Sequence, residues 1–311
     1  SLDDDGGIDM TNKVVVLGST NVDQFLTVER YAKPGETLHV EEAQKAYGGG
    51  KGANQAIATA RLGAETTFIS KVGTEGIADF MFKDFEAAGI DTSYVVETEQ
   101  SQTGQAFITV DAQGQNTIYV YGGANMTIDE ADVARAEQTI AEADFIVAQL
   151  EVPIPAITAA FKMARAHGVT TLLNPAPAKA LPDDLLQLID IIVPNESEAE
   201  TLSGVTVTDE TSMRESAAYF HDLGIHTVLI TLGEHGTFYS TDAGSEQLPA
   251  YPVKAVDTTA AGDTFIGALV SHLASDMSNL SDAIDYANKA GSLTVQRAGA
   301  QAAIPHASDI E

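Results

Sequence analysis

The stretch Val14-Val15-Val16-Leu17-Gly18 is a continuous apolar run that ends at a glycine. A strand that is apolar on both faces has to be covered on both faces, as the strands of parallel sheets are. Outward from this run, short apolar runs alternate with Ala-rich segments of helical periodicity along most of the chain. This alternation predicts an α/β fold with a mainly parallel central sheet and helices on both of its faces.

Periodicity also places the individual core elements, and no fixed-period repeat divides the chain. Further core strands are predicted at residues 66–72, 145–150, 170–173, 189–193 and 227–232. Helices are predicted at residues 53–62, 78–88, 129–141, 154–167, 211–223, 262–274 and 282–296.

Two segments, residues 24–47 and 103–121, break this rhythm, because they alternate in the manner of strands and contain turn signals. Pro34-Gly35 is the turn signal of the first segment, and Ala112-Gln113-Gly114 is that of the second. Residues 105–110 and 116–121 are predicted to form an antiparallel pair. A small sheet of this kind could act as a lid or as a structural wing, and the pattern alone does not choose between them.

The composition excludes several classes of protein. The 311 residues carry a formal net charge of −29, which repels nucleic acids and anionic membrane surfaces. The absence of cysteine excludes disulfides, cysteine zinc sites, iron–sulfur clusters and thiol nucleophiles. The sequence contains no run of about 18 apolar residues, so no transmembrane helix is predicted. These features fit a cytoplasmic protein that binds phosphate, if at all, through local dipoles, a metal and a few cations.

The first residues are acidic and rich in glycine, the reverse of the basic start of a signal peptide. We therefore expect residues 1–12 to be a disordered or extraneous N-terminal extension. Residues 13–311 are expected to form one α/β domain.

A glycine-rich stretch, Gly48-Gly49-Gly50-Lys51-Gly52, precedes the first predicted helix. Glycines at a helix start let backbone N–H groups approach a polar ligand closely. A Walker A loop is excluded, because Lys51 is followed by Gly52 rather than by Ser or Thr. The stretch indicates either a ligand-binding loop or a flexible turn before a tightly packed helix.

A second motif, Ala260-Ala261-Gly262-Asp263, opens a later predicted helix. Its small residues are expected to leave three backbone N–H groups exposed at the helix start, an anion hole for developing phosphoryl charge. Asp263 would lie beside that hole, where a carboxylate can accept a proton from an attacking hydroxyl. An acidic residue that merely favours a helix N-terminus would explain Asp263 but not the small residues before it.

Other polar residues follow predicted strands. Asn195 and Glu198 have the spacing of a helix capping box, and their alternative role is in binding nucleotide phosphates and hydrated magnesium. Asn21, Asp23 and Glu151 follow strands at their carboxyl ends, where open α/β sheets bind ligands. Their convergence suggests a ligand rich in hydroxyl groups.

The order of these motifs resembles the ribokinase family, within the larger phosphofructokinase-B group of sugar kinases. The resemblance covers residues 13–304, nearly the whole chain. Its motifs are Gly18-Ser19-Thr20-Asn21-Val22-Asp23, Gly49-Gly50-Lys51-Gly52-Ala53-Asn54-Gln55, Gln149-Leu150-Glu151, Asn174-Pro175-Ala176-Pro177-Ala178, Pro194-Asn195-Glu196, Thr231-Leu232-Gly233, Asp257-Thr258-Thr259-Ala260-Ala261-Gly262-Asp263 and Gly299-Ala300-Gln301. Gly48 adds a third glycine before the second motif, and we expect it to loosen that loop.

The resemblance implies a role for each matching position. Asp263 is implied as the catalytic base, and Ala260, Ala261 and Gly262 as the anion hole. The implied sugar contacts are Asn21, Asp23, Gly49, Gly50, Lys51, Asn54, Glu151 and Asp263. The implied nucleotide contacts are Asn195, Glu198, Thr231, Gly233, Gly236, Gly262 and Asn288. An activating potassium ion is implied at Asp257, Thr259, Thr294, Arg297 and Gly299.

The resemblance further implies ATP-dependent phosphorylation of the 5-hydroxyl of D-ribose, with Mg²⁺ and K⁺ as cofactors. It implies that the inserted sheets form both a lid and a homodimer contact. The alternatives are a kinase of 2-deoxyribose or of another sugar or nucleoside. A non-catalytic sugar sensor is disfavoured because Asp263 and the small residues are intact. A dinucleotide oxidoreductase is rejected because Gly18-Ser19-Thr20-Asn21 lacks the required glycine pattern.

Overall fold

The structure is a computed structural model that describes residues 11–310. The first ten residues of the expected N-terminal extension therefore lie outside the described part of the chain. Within it, the side chain of Asn12 is buried and donates hydrogen bonds to the carbonyls of Val270 and Leu273, at 2.8 and 2.7 Å. These bonds attach the segment before the first strand to the end of a late helix.

Thirteen strands and ten α-helices follow one another in the described residues. The strands are β1 (Lys13–Leu17), β2 (Asn21–Thr27), β3 (Lys45–Gly49), β4 (Glu65–Gly73), β5 (Asp91–Thr98), β6 (Gly104–Val110), β7 (Asn116–Tyr121), β8 (Phe145–Ala148), β9 (Thr170–Leu173), β10 (Ile191–Ile192), β11 (Thr227–Thr231), β12 (Thr237–Thr241) and β13 (Gly244–Leu248). The helices are α1 (Lys51–Arg61), α2 (Asp79–Ala87), α3 (Glu130–Ala134), α4 (Glu137–Ala141), α5 (Ile154–Ala166), α6 (Asp183–Leu186), α7 (Glu196–Ser203), α8 (Glu210–Asp222), α9 (Ala261–His272) and α10 (Leu280–Val295).

Nine strands form the central sheet, in the order β13-β12-β11-β10-β9-β8-β1-β4-β5. The strands from β11 to β5 in this order pair in parallel, and only β12 and β13 at one edge are antiparallel. The predicted α/β fold with a mainly parallel sheet is thus confirmed.

The apolar run of β1 belongs to two cores, one on each face of the sheet. Val14 and Val16 contact the core formed with α1, α2, α9 and α10, whereas Val15 and Leu17 contact the core formed with α5 and α8. Successive strand residues point to opposite faces, so an unbroken apolar run is what a doubly covered strand requires.

A separate four-stranded sheet has the order β3-β2-β6-β7. Its β6 and β7 pair antiparallel with Gln105 opposite Tyr121, which confirms the predicted pair. β2 pairs antiparallel with β3 and parallel with β6. Gly48 lies within β3 opposite Val22, so the expectation that it loosens a loop is wrong.

Other expectations need correction. The single helix expected at residues 129–141 is two helices, α3 and α4, because the Ala136 N–H bonds to the Val133 carbonyl in a tight turn. The strand expected at residues 189–193 is reduced to Ile191–Ile192. β5, β12 and β13 were not expected, since they are polar or only partly buried edge strands with a weak apolar signal. Within residues 11–310, no helix has both the length and the apolarity needed to cross a membrane.

Candidate active site

The site forms where the carboxyl ends of the central strands meet the N-termini of α1 and α9. Helix α1 begins directly after Gly50 and packs against the turn that follows β1. The Ala53 N–H donates to the Ser19 carbonyl at 2.8 Å. A Cβ on Gly52 would collide with the backbone of Ser19 and Gly18, so this close approach requires glycine. The glycine-rich stretch therefore sets the position of a helix start.

Asp263 lies in the first turn of α9, and only 7% of its surface is exposed. Each of its carboxylate oxygens accepts one hydrogen bond from α1: the Asn54 amide donates to Oδ2 at 3.0 Å, and the Gln55 amide donates to Oδ1 at 3.0 Å. The two helices thus hold an acidic side chain at the point where the sequence places a proton acceptor.

The N-terminus of α9 presents backbone amides beside this carboxylate. Ala260, which precedes the helix, has the left-handed conformation, with φ 64°. Within residues 11–310, the N–H groups of Ala260 and Gly262 have no hydrogen-bond acceptor. The Ala261 N–H instead donates to the Thr258 carbonyl at 3.2 Å, so the expectation of three exposed amides is corrected to two. These two amides and the positive end of the helix dipole favour an anion.

The expected sugar-binding residues lie on one side of Asp263. Glu151 Oε1 accepts hydrogen bonds from the Ser19 hydroxyl at 2.7 Å and from the Lys51 N–H at 2.8 Å. Asn21 is opposite Gly49 in the β2–β3 pair, and its Oδ1 accepts from the Asn125 amide at 2.7 Å. The Asn21 amide nitrogen therefore remains available to donate.

Asp23 is placed against Gly49, where a Cβ would collide with its carboxylate. Burial, together with the nearby charge of Glu151, raises the pKa of Asp23 from 3.8 to about 7. Two carboxylates in one partly buried site indicate a ligand that donates hydrogen bonds, as a polyhydroxylated molecule does.

Lys51 is the cation of the site. Burial disfavours its charge, but the carboxylates of Asp263, Glu151 and Glu198 outweigh burial and raise the pKa of Lys51. Lys51 therefore stays protonated and supplies local positive charge in a protein of strongly negative net charge.

On the other side of Asp263 a cavity of about 190 Å³ opens. It is lined by Lys51, Asn174, Ala176, Val193, Asn195, Glu198, Thr231, Thr258, Ala260, Gly262, Asp263 and Ile266. Asn195 is bridged to Thr231, which places the ends of β10 and β11 side by side. One small cavity thus joins five of the motifs, which are distant from one another along the chain.

Asn195 and Glu198 form the expected capping box at the start of α7. The Asn195 side chain accepts from the Glu198 N–H at 2.8 Å, and the Asn195 N–H donates to Glu198 Oε1 at 3.0 Å. Burial raises the pKa of Glu198, and the bond from the Asn195 N–H and the charge of Lys51 only partly oppose it. The capping role is present, and it leaves both residues on the cavity wall.

Three expected nucleotide contacts do not line this cavity. Gly233 and Gly236 lie in the turn between β11 and β12, where both have positive φ. Asn288 is buried, accepts from the Thr237 hydroxyl at 2.8 Å and donates to the Pro249 carbonyl at 3.2 Å. The structure gives Asn288 a role in joining α10 to the β13 end of the sheet.

The residues expected to bind potassium are partly brought together. Asp257 accepts from the N–H groups of Thr259 and Gly299, at 2.9 and 3.0 Å. Burial opposes ionisation, but these hydrogen bonds outweigh it and lower the pKa of Asp257. Two loops therefore meet at an ionised carboxylate. The Thr294 hydroxyl, in contrast, donates to the Thr264 hydroxyl at 2.9 Å, and the Thr294 carbonyl accepts from the Arg297 N–H at 3.1 Å.

The donor set of this loop fits a weakly charged, oxygen-preferring cation such as K⁺, since it offers one carboxylate and backbone carbonyls. In the described residues, no cluster of three or more His, Cys, Asp or Glu side chains could hold a metal ion. The Glu198 carboxylate on the cavity wall is suited to a hydrated Mg²⁺ that is also held by phosphates.

Sequence reasoning missed the buried amides around the site, to which it assigned no role. Gln55 and Gln149 are fully buried, and Asn125, Asn174 and Gln301 are nearly so. The signal that could have found them is polar side chains inside motifs that are otherwise apolar or glycine-rich, because a buried amide needs partners.

The chain resembles known proteins along most of its length. Residues 11–307 match the family described as pfkB family carbohydrate kinase. The chain is 70% identical to the ribokinase of Staphylococcus aureus over 296 residues, which cover 95% of this chain and 97% of that protein. It is 38% identical to the deoxyribokinase of Salmonella typhimurium, over 82% of this chain and 83% of that protein. The structure of Arabidopsis thaliana ribokinase complexed with ribose and ATP superposes with a TM-score of 0.89 at 30% identity, covering 97% of this chain and 98% of that one.

Proposed function

The chain belongs to the pfkB family of carbohydrate kinases, and from this premise we propose that it transfers the γ-phosphoryl group of ATP to the 5-hydroxyl of D-ribose. The observation that carries the proposal is the position of Asp263, at the boundary between the carboxylate-lined sugar side and the cavity at the ends of β10 and β11. The products are D-ribose 5-phosphate and ADP.

On the sugar side, the side chains of Asp23 and Glu151 are assigned to accept hydrogen bonds from ribose hydroxyls, and Asn21 to donate one. Asn54, Lys51 and the backbone of Gly49 and Gly50 complete the proposed contacts. This assignment is supported by the bond that fixes the Asn21 amide and by the close pairing of β2 with β3. Hydroxyl groups bound in this way discriminate strongly, because a missing one leaves buried polar groups unpaired.

In the transfer step, Asp263 accepts the proton of the 5-hydroxyl while that oxygen forms a bond to the γ-phosphorus. The bond between this phosphorus and the bridging oxygen of ADP breaks, and its electron pair leaves with ADP. The amides of Ala260 and Gly262 and the charge of Lys51 face the developing negative charge. No covalent bond forms between the protein and the phosphoryl group in this step. The protein therefore contributes positioning, a proton acceptor and electrostatic stabilisation rather than covalent chemistry.

On the nucleotide side, Asn195, Glu198 and Thr231 are assigned to the phosphates and to hydrated Mg²⁺. Gly233, Gly236 and Asn288 are assigned to the rest of the nucleotide. Mg²⁺, when bound, neutralises phosphate charge during transfer. The support for this assignment is that three of these residues line the cavity beside Asp263.

Activation by K⁺ is proposed at Asp257, with the carbonyls of Thr259, Thr294, Arg297 and Gly299. The loop carrying Asp257 leads directly into the anion-binding turn at Ala260, so a cation there would hold that turn in place. Asp257→Ala is expected to weaken the stimulation of kcat by K⁺, measured in Na⁺-free and K⁺-containing buffers of equal ionic strength. A stimulation as large as in the unsubstituted enzyme would contradict this site.

The four-stranded sheet is proposed as a lid over ribose and as the contact of a homodimer. Its β7 exposes apolar side chains, with Tyr119 at 72% and Val120 at 62% exposure, next to exposed Ile118 and Phe107. Tyr119 and Phe107 are opposite each other on one face of the sheet, and Ile118 and Val120 point to the other face, so this edge strand is apolar and exposed on both faces. Exposed apolar surface of this kind favours burial against a second protein surface. With ATP as the phosphate donor, we also infer a cytoplasmic location, which cell fractionation would test.

The proposed substrate is tested by measuring ADP formation with a panel of pentoses and hexoses, each with and without K⁺. We expect D-ribose to give the highest kcat/KM. The relative that acts as a deoxyribokinase makes 2-deoxyribose the decisive comparison. A higher kcat/KM for 2-deoxyribose would replace ribose as the substrate, and no sugar-dependent ADP formation would overturn the kinase proposal itself.

A further inference from the structure

We propose that Gln149 and Gln301 are positioning residues that hold the two amides bonded to Asp263 in their donating orientation. The inference rests on the proposed function, in which Asp263 accepts the proton of the sugar hydroxyl. Neither glutamine contacts Asp263. Each acts through one intermediate amide, Gln149 through Gln55 and Gln301 through Asn54.

The network has the same form on both sides of the carboxylate. On one side, Gln149 Nε2 donates to Gln55 Oε1 at 2.7 Å, and Gln55 Nε2 donates to Asp263 Oδ1 at 3.0 Å. On the other side, Gln301 Nε2 donates to Asn54 Oδ1 at 3.0 Å, and Asn54 Nδ2 donates to Asp263 Oδ2 at 3.0 Å. Each carboxylate oxygen therefore ends a chain of two amides.

The orientation matters because a side-chain amide has a donating and an accepting end of nearly the same shape. Turned the other way, the amide of Gln55 or Asn54 would place its oxygen against a carboxylate oxygen, and two acceptors would repel each other. An N–H group from Gln149 or Gln301 removes this alternative, because it can only be satisfied by the oxygen of the intermediate amide.

Gln55 is also held from a third direction. Its Nε2 donates to Asn174 Oδ1 at 3.1 Å, and Asn174 itself is oriented by its donation to the Val193 carbonyl at 2.9 Å. Both hydrogens of the Gln55 amide are thus used, one on the carboxylate and one on the wall of the nucleotide cavity.

The side-chain oxygens of the two glutamines accept no hydrogen bond from the described residues. Among the described residues, the only buried side-chain atoms without a hydrogen-bond partner are Gln149 Oε1 and Gln301 Oε1. Burying such an acceptor is unfavourable, so a site chosen for stability alone would hold an apolar side chain there. Within the described residues, the only hydrogen bond that each of these glutamine side chains makes to the protein is thus the one that it donates to the network around Asp263.

Two glycines make room for these side chains. A Cβ on Gly18 would collide with Gln149 Oε1, and a Cβ on Gly48 would come within 2.6 Å of Gln301 Oε1. Gly48, which lies in β3 opposite Val22, thus leaves room for the side chain of Gln301.

The test uses Gln149→Met and Gln301→Met, which keep much of the volume but remove the donor, together with Gln55→Met. Without the donor, the intermediate amide can turn its oxygen toward the carboxylate, so that its own donation to Asp263 is lost. We expect Gln149→Met to lower kcat roughly 2- to 10-fold, as expected for one lost hydrogen bond between neutral groups. Its KM for ribose stays within about twofold. Gln301→Met is expected to lower kcat similarly and also to raise the KM for ribose, because Asn54 is proposed to touch the sugar. Lys51 and Glu198, the other charged groups near Asp263, are the same in all variants.

A double variant separates positioning from general damage. If Gln149 acts only through Gln55, the variant carrying both Gln55→Met and Gln149→Met has the kcat of Gln55→Met alone, whereas independent structural effects would multiply. Asn12→Ala is the matched control, since it removes a buried amide with two hydrogen bonds at the far end of α9. It is expected to lower the temperature of unfolding and to leave kcat and the Asp263 carboxyl chemical shift unchanged.

A readout without turnover keeps this inference distinct from the proposed function. In the ligand-free protein labelled with ¹³C-aspartate, the carboxyl signal that is absent from Asp263→Asn is expected to change its chemical shift, at one fixed pH, in both glutamine variants, because the hydrogen bonds to that carboxylate change. If ribose is not phosphorylated, the proposed function fails, and this chemical shift still decides the inference. A kcat and a carboxyl chemical shift that are both unchanged in folded Gln149→Met and Gln301→Met would overturn it. If Gln149→Met does not fold, Gln149→Leu and the Gln301→Met arm decide it by the same criteria.

Discussion

At the scale of single residues, two carboxylates with different surroundings have different proposed tasks. Asp263 accepts two amide hydrogen bonds, which fix the orientation of its carboxylate, and lies beside open backbone amides. Asp23 is buried near a second carboxylate, which raises its pKa to about 7. Both residues are aspartates, so it is their different surroundings that give Asp263 the proposed role of proton acceptor and Asp23 that of a ligand for a sugar hydroxyl.

We expect Asp263→Asn to lower kcat by roughly 10²–10⁴, because the variant has no group that accepts the proton of the sugar hydroxyl. The variant keeps the size of the side chain, so ribose binding measured by calorimetry should change only a few-fold. Steady-state turnover close to that of the unsubstituted enzyme would remove Asp263 from the mechanism.

The raised pKa of Asp23 predicts that ribose binds less tightly below pH 7. The carboxyl group takes up a proton as the pH falls through about 7, and the protonated form no longer accepts hydrogen bonds at both oxygens. The dissociation constant for ribose, measured by calorimetry without nucleotide, is expected to rise by about tenfold between pH 8 and pH 6. Asp23→Asn should bind ribose weakly at every pH in this range, and an equally steep pH dependence in that variant would assign the titration to another group.

The same shift has a consequence for stability. A carboxyl group whose pKa is higher in the folded state than in the unfolded chain stabilises the fold at low pH, and this contribution is lost as the pH rises from about 4 to about 7. Above pH 7 the ionised Asp23 therefore opposes folding, and ribose hydroxyls would relieve this cost on binding. A residue that destabilises the empty site is typical of positions that serve a ligand.

At the scale of elements, the reacting groups depend on how α1 and α9 meet. Helix α1 carries Lys51, Asn54 and Gln55, and α9 carries Asp263. The helices contact each other closely where a Cβ on Gly267 would collide with Ala58. The start of α1 is fixed against the turn after β1 by Gly52. Small residues at both contacts bring the amides of one helix within hydrogen-bond distance of the carboxylate of the other.

Gly52→Ala is expected to destabilise the protein by roughly 1–3 kcal/mol, because the added methyl group meets the backbone of Gly18 and Ser19, which cannot move aside as a side chain can. Unfolding in urea measures the change, and kcat/KM should fall with it because α1 is displaced. Gly291→Ala in α10 is the matched control, since the nearest atom to its Cβ is 3.7 Å away and alanine favours a helix. A Gly52→Ala variant as stable as this control would show that the approach is not tight.

At the scale of the whole molecule, the large sheet and the small one contribute different residues to the site. The nine-stranded sheet carries the strand ends from which the site is built, and the four-stranded sheet supplies Asn21, Asp23 and Gly49 while presenting an apolar outer strand. The formal net charge of −29 makes association through a polar face unfavourable, because like charges repel. The apolar side chains of β7 are therefore the surface that we propose for the contact between two copies.

Val120→Asp is expected to convert a dimer of about twice 32.6 kDa into a monomer, because it places a charge in the apolar patch of β7. Light scattering coupled to size-exclusion chromatography measures the mass. Gln113→Asp, at the turn between β6 and β7, adds the same charge outside the patch and should leave the mass unchanged. An unsubstituted chain that is monomeric at micromolar concentration would contradict the proposed dimer.

The sequence by itself determined the sheet and its covering helices, because the spacing of apolar residues indicates which face of a strand or a helix is buried. It also indicated the motifs on which the proposed function rests, since glycines at a helix start and an acidic residue after small ones have local causes. It did not reveal the break between α3 and α4 or the edge strands, whose apolar signal is weak.

Only the tertiary structure decided how the motifs act together. Gln149 and Gln55 are 94 residues apart, and Asn54 and Gln301 are 247 residues apart, yet each pair shares one hydrogen bond. The raised pKa of Asp23 likewise depends on its burial and on Glu151, which folding brings near it. A hydrogen bond needs two groups within about 3 Å, and no local pattern of residues specifies which distant group will be there.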